Sequence, residues 1–184
     1  MEVLHSKNYI YRDIKPENFM IGMPETEVAK IVHLIDFGTI KMFIEPTDNG
    51  PKHIQFRDGK QAIGTARYAS CNAHFGYELS RRDDLESLAY MFLLFLKGNL
   101  PWSGLMANTA MEQFRKIGSM KQAMTPEQLF DGYPSEFADY LTHVRNLKFD
   151  ETPDYETHRR NFFSLFEKLN LVDDGLFDWD TKSI

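Results

Sequence analysis

Four side chains near the start of this sequence could do chemistry together. Asp13, Lys15 and Asn18 stand in the run Asp13-Ile14-Lys15-Pro16-Glu17-Asn18, and Asp36 opens Asp36-Phe37-Gly38. A carboxylate, an amine and two hard oxygen donors suit phosphoryl transfer. That reaction asks little covalent help of a protein: an aligned hydroxyl, neutralised phosphate charge and firmly held metal ions. Asp13 would accept or orient the proton of the attacking hydroxyl. Lys15, two residues on and so on the same side of an extended loop, could reach the transferring phosphate. Asn18 and Asp36 offer oxygen ligands suited to Mg²⁺, and Gly38 allows a sharp backbone turn after the second of them. Either short motif alone is weak evidence. Their order, with a strand pattern directly before Asp36, argues against coincidence.

The elements that must position these residues are mostly helical. Residues 1–7 read as the end of a helix. Val28 to Leu34 has the β-branched, partly alternating pattern of a strand. From Glu45 to Gln61, Pro46, Asn49-Gly50-Pro51 and Asp58-Gly59 mark one long loop. Asp83 to Lys97 begins acidic, is apolar around most of its circumference and ends at Gly98, which predicts a buried helix. Further helices are expected over 109–117, 125–131, 135–147 and 154–169, with Thr125 and Ser135 as N-caps. The fold class is mainly α, with a few short β-strands near the N-terminus.

Composition bounds the function. The chain has 184 residues, enough for one domain or one lobe of a larger one, and 42% are hydrophobic. A net charge of −6 argues against general nucleic-acid binding. Cys71 is the single cysteine, so an internal disulfide is excluded; it reads as a small core residue rather than a reactive thiol. The six histidines show no metal-ligand spacing. Trp102 and Trp179 read as core anchors. Leu88 to Leu96, the longest apolar run, is too short to cross a bilayer. No signal peptide is visible, and the expectation is a soluble monomer in the cytoplasm or nucleus.

Longer motifs carry a resemblance. They are His5-Ser6-Lys7-Asn8, Tyr11-Arg12-Asp13, Lys15-Pro16-Glu17-Asn18-Phe19, Asp36-Phe37-Gly38, Gly64-Thr65-Ala66-Arg67-Tyr68-Ala69-Ser70, Ser80-Arg81-Arg82-Asp83-Asp84-Leu85-Glu86-Ser87 and Leu100-Pro101-Trp102-Ser103-Gly104-Leu105. Over nearly its whole length the chain resembles the casein kinase I family of Ser/Thr protein kinases. The resemblance implies a kinase C-terminal lobe spanning residues 1–184, with ATP and Mg²⁺ as cofactors. It makes Asp13 and Lys15 catalytic, and Asn18 and Asp36 metal- and cofactor-binding. Thr65 would tie the substrate loop to the catalytic Asp and Lys, and Asp84 would hydrogen-bond the catalytic-loop backbone. Lys60 and Arg67 match positions of a cationic pocket for acidic or already phosphorylated protein substrates. Gln113 replaces a third basic residue there, which weakens recognition of a priming phosphate. Arg81-Arg82 reads equally as a solvated pair. Ser70-Cys71-Asn72 stands where most kinases have A-P-E.

The glycine-rich phosphate loop and its partner lysine are not found in these residues. The expectation is therefore a kinase lobe without its N-terminal half. The alternative is a catalytically inactive lobe that binds substrates or partners.

Overall fold

The computed structural model describes residues 1–23, 25–175 and 177. Short elements come first: α1 (Glu2–Ser6), β1 (Tyr9–Ile10), a 3₁₀ turn at Pro16–Asn18, β2 (Phe19–Ile21), β3 (Val32–Leu34), β4 (Lys41–Met42), β5 (Ile44–Glu45) and β6 (Lys52–His53). The helices α2 (Cys71–His74), α3 (Arg81–Lys97), α4 (Ala110–Ala123), α5 (Pro126–Leu129), α6 (Ser135–Asn146) and α7 (Tyr155–Lys168) follow. The strands form three antiparallel pairs, β1–β4, β2–β3 and β5–β6.

The central helix α3 starts two residues before the expected Asp83. Asp83 accepts from the Ser80 amide at 2.8 Å, which secures the first turn. Gly98, at φ +71, closes the other end in the left-handed conformation that glycine adopts at least cost. Leu85, Ala89, Tyr90 and Leu93 of α3 are buried with Tyr140, Leu141 and Val144 of α6. Leu93 and Leu141 have no exposed surface, and each such burial is worth roughly 1.5–3 kcal/mol. Trp102 is buried against Tyr90, edge to face at 5.1 Å, as an anchor should be. Trp179 lies outside the described residues.

Several boundaries differ from the expectation. The strand expected over Val28–Leu34 is confined to Val32–Leu34, because consecutive turns occupy the preceding residues: the Ala29 amide bonds Thr26 O and the Ile31 amide bonds Val28 O. The Glu45–Gln61 loop begins as a hairpin, with Glu45 opposite Lys52 and Ile44 opposite His53. Helix α4 runs to Ala123 rather than ending at residue 117. Gly118 does not stop it, because α4 lies so close to α2 that a Cβ there would sit 2.4 Å from His74 Cβ. Thr125 caps α5 as expected, accepting from the Gln128 amide at 3.3 Å. Ser135 is instead the first residue of α6, with Pro134 at the cap position.

Candidate active site

The site begins with a carboxylate that does no chemistry. Asp84, in the first turn of α3, is almost fully buried and accepts the backbone amides of Tyr11 and Arg12, each at 2.7 Å. His5 of α1 meets the same carboxylate at 2.9 Å and meets the Tyr155 hydroxyl of α7 at 2.6 Å. Asp84 and His5 together thus join the backbone just after β1 to α1, α3 and α7. Arg12, held by this pair of bonds, has φ +69, a left-handed conformation that ordinary residues adopt rarely and at a cost. Its guanidinium donates to Thr39 O at 2.7 Å, and Thr39 Oγ1 donates back to Tyr11 O at 2.8 Å.

Asp13 emerges from that anchored turn. Its Oδ1 accepts the Thr65 amide at 2.9 Å and the Thr65 hydroxyl at 2.8 Å, and its Oδ2 accepts Lys15 Nζ at 2.6 Å. Burial works to raise the Asp13 pKa. The donors Lys15 and Thr65 outweigh it, so the carboxyl stays below its usual range and is ionised at neutral pH. The hydrogen bond to Asp13 raises the Lys15 pKa in turn. Gly64 brings Thr65 close: its φ is +80, and a Cβ would fall 2.5 Å from Arg12 O. No larger residue fits without shifting backbone.

Asn18 and Asp36 come together through the β2–β3 pair. Phe19 stands opposite Leu34, and just beyond them the Ile35 amide donates to Asn18 O at 2.9 Å. Asn18 Nδ2 is committed to Asp13 O at 3.0 Å, which leaves its Oδ1 for another partner. Asp36 is exposed, at φ +59, and its Oδ1 accepts the Gly38 amide, at 3.2 Å. The sharp turn is therefore made by Asp36 itself. Gly38 has no positive φ; a Cβ there would instead come within 3.2 Å of Asp36 Oδ1. An amide oxygen with no hydrogen bond among the described residues and an exposed carboxylate are donors of the kind a hard divalent cation takes.

Lys60 and Arg67 line different clefts among the described residues. Lys60 pairs with Glu78 at 2.9 Å, and Lys41 pairs with the other oxygen of the same carboxylate at 2.5 Å. Burial would raise the Glu78 pKa, but the two lysines keep it lowered. Arg67 is exposed and lines a separate cleft with Trp102, Ser103, Gly104 and Gln113, its guanidinium 3.5 Å from Ser103 Oγ. Gln113 spends its amide on Leu105 O at 2.9 Å. Arg81 and Arg82 donate to Asp150 O and Leu147 O, so both serve the packing of α3 rather than a free charge pair.

Other residues were not singled out by spacing. Ser70 and Asn72 both donate to Asp83 Oδ1, at 2.7 and 2.9 Å, which ties the end of the loop over residues 64–70 to α3. Cys71 between them has its pKa pushed up to about 12, by burial first and by the negative Glu86 next, so it is an inert thiol. Lys121 is a fully buried lysine on α4. The available signal was its place four residues after Ile117 and seven after Phe114, on the buried face of that helix. A cavity of about 530 Å³, lined by Leu88, Phe92 and Phe162 among others, holds none of the four chemical residues.

The protein kinase domain family model matches residues 1–153. Over 180 residues the chain is 44% identical to casein kinase I homolog 1 of Schizosaccharomyces pombe, which covers 98% of this chain and 40% of that protein. It is 47% identical to casein kinase I homolog RAG8 of Kluyveromyces lactis over 179 residues, 97% of this chain and 33% of that protein. It is 46% identical over 179 residues to casein kinase I homolog 2 of Saccharomyces cerevisiae, covering 32% of it. The chain thus spans about a third to two fifths of the length of these relatives. Among the described residues, no helix is long and apolar enough to cross a membrane.

Proposed function

Since the chain belongs to the protein kinase domain family, and its relatives are casein kinase I homologues, we propose that it carries the substrate and metal side of a Ser/Thr kinase site. The observation that supports this most directly is the doubly held Asp13, ionised and gripped by Lys15 and Thr65. Asp13 orients the substrate hydroxyl and takes its proton. Lys15 moves from Asp13 toward the transferring phosphoryl group and offsets its charge. Asn18 and Asp36 would hold Mg²⁺, which when bound would neutralise charge on the nucleotide phosphates.

Substrates are proteins with acidic or phosphorylated segments near the acceptor Ser or Thr. Arg67 is the freer cation for them, because Lys60 already shares Glu78 with Lys41. The phosphate-covering glycine loop is not among these 184 residues, so transfer is proposed for the chain joined to such a loop. The intact Asp13 geometry favours this reading over an inactive binding lobe. We place the protein in the cytoplasm or nucleus, as a monomer.

The 184-residue chain alone should transfer no phosphate from Mg-ATP to casein. Fused to the nucleotide-covering half of its S. pombe relative, it should phosphorylate an acidic Ser/Thr peptide. In that fusion Asp13→Asn should lower kcat by about 10²- to 10⁴-fold. Equal turnover with and without Asp13→Asn would remove Asp13 from the role assigned to it.

A further inference from the structure

Lys121 has no exposed surface, and no carboxylate bonds its ammonium among the described residues. Its partners are backbone carbonyls of a single turn: Ala66 O at 3.0 Å and Ala69 O at 2.6 Å. The third partner is His74 Nε2, at 3.1 Å. The rings of Tyr90 and Trp102 lie 4.5 and 4.7 Å from the nitrogen, close enough for their faces to favour a cation. Two of the three ammonium donors thus meet carbonyl acceptors, and the third faces His74 Nε2, which accepts when the ring carries its proton on Nδ1. Burial still lowers the Lys121 pKa to about 7. A methionine or leucine would fill the same volume without that desolvation cost.

The turn that receives these bonds is the one that reaches Asp13. Tyr68 and Ala69 amides both donate to Thr65 O at 2.9 Å, and Trp102 Nε1 takes Arg67 O at 2.8 Å. With Lys121 on Ala66 and Ala69, every carbonyl from Thr65 to Arg67, and that of Ala69, is spoken for. The first residue of the turn gives Asp13 Oδ1 both of its bonds, and the third points Arg67 toward the cleft beside Gln113.

We propose that Lys121 is a positioning residue: by gripping Ala66 O and Ala69 O it fixes the turn that sets Thr65 on Asp13 and Arg67 in the substrate cleft. The inference rests on the catalytic reading of Asp13 given above, but it is tested without turnover. The probe is Lys121→Met in the 184-residue chain, followed by residue-resolved amide hydrogen exchange and by ¹³C titration of the Asp13 carboxyl.

The expected result is exchange at the Thr65, Tyr68 and Ala69 amides at least about tenfold faster, with Ala89 and Leu141 unchanged. The Asp13 midpoint should move up as its Thr65 bonds weaken. Unchanged exchange at the turn overturns the proposal. So does equal acceleration at Ala89 and Leu141, which marks a merely structural lysine. Where the Met variant does not fold, Lys121→Gln keeps two N–H donors and is read by the same measurements, with a smaller acceleration expected at the turn and none at α3 or α6. A loosened turn together with full activity in the Asp13→Asn fusion would uphold the anchor and sink the catalytic reading.

Discussion

The cleft around Asp13 and the interior around Lys121 each hold a charge away from bulk water, with opposite outcomes. Asp13 faces an opposite charge at 2.6 Å and two Thr65 donors, and it stays ionised although burial opposes this. Lys121 faces neutral carbonyls, an imidazole and two ring faces, and burial pulls its pKa down to about 7. An ion outweighs desolvation where dipoles do not. The cleft charge is matched by an opposite charge, whereas the interior charge meets backbone carbonyls.

The largest effect should come from cutting the cleft off from the helical body. Asp84→Ala leaves the Tyr11 and Arg12 amides and His5 without their acceptor in a buried setting. It should cost about 3–5 kcal/mol in denaturant unfolding, because a buried charged partner is removed and the others stay behind. A loss under about 1 kcal/mol would mean that the turn at Tyr11 and Arg12 is held by something else.

The interior responds to acid in a way the cleft partners do not share. Burial, then the nearby Lys121 charge, lowers the His74 pKa from 6.5 to about 3. The unfolded chain takes up a proton near 6.5 that the folded chain refuses until about 3, so stability falls as pH drops through that window. His74→Gln keeps an acceptor for Lys121 and does not titrate. Its unfolding free energy between pH 6.5 and 5 should decline less steeply than the parent's, by up to about 1.4 kcal/mol per pH unit. Parallel slopes would show that His74 is open to protonation in the fold.

The smallest effect belongs to the surface. Arg159 pairs with Glu2 and Glu156, both exposed. Charges in that setting are screened and gain little, so Arg159→Ala should leave the unfolding midpoint where it was. A clear drop in midpoint would mean that α1 depends on this pair, and not on His5 alone, for its place against α7.

The chemistry was easier to read in the sequence than the shape that serves it. Asp13, Lys15, Asn18 and Asp36 are local: a loop and one strand pair bring them together, so their spacing along the chain carries most of the information. Helix α3 was legible too, since its apolar circumference and Gly98 are local signals. The length of α4 was not: the helix continues through Gly118, which packs against His74 of α2, a contact that is not local in the chain. The strand before Asp36 was overextended for a similar reason, as turns over residues 26–31 overrode its β-branched composition. Arg81 and Arg82 looked equally like free charge until their carbonyl partners just past the end of α6 were in view.

By itself the sequence determined which groups could move a phosphoryl unit, in what order they come, and that a mostly helical body would carry them. Only the tertiary structure decided what holds those groups still. Asp84 lies 73 residues after Tyr11, and Lys121 lies 52 residues after Ala69. Hydrogen bonds across such separations leave no periodic trace in a chain, because they form only when packing removes water and a buried polar group must find its partner. The same packing separated Lys60 from Arg67, two cations that family positions had placed in one pocket.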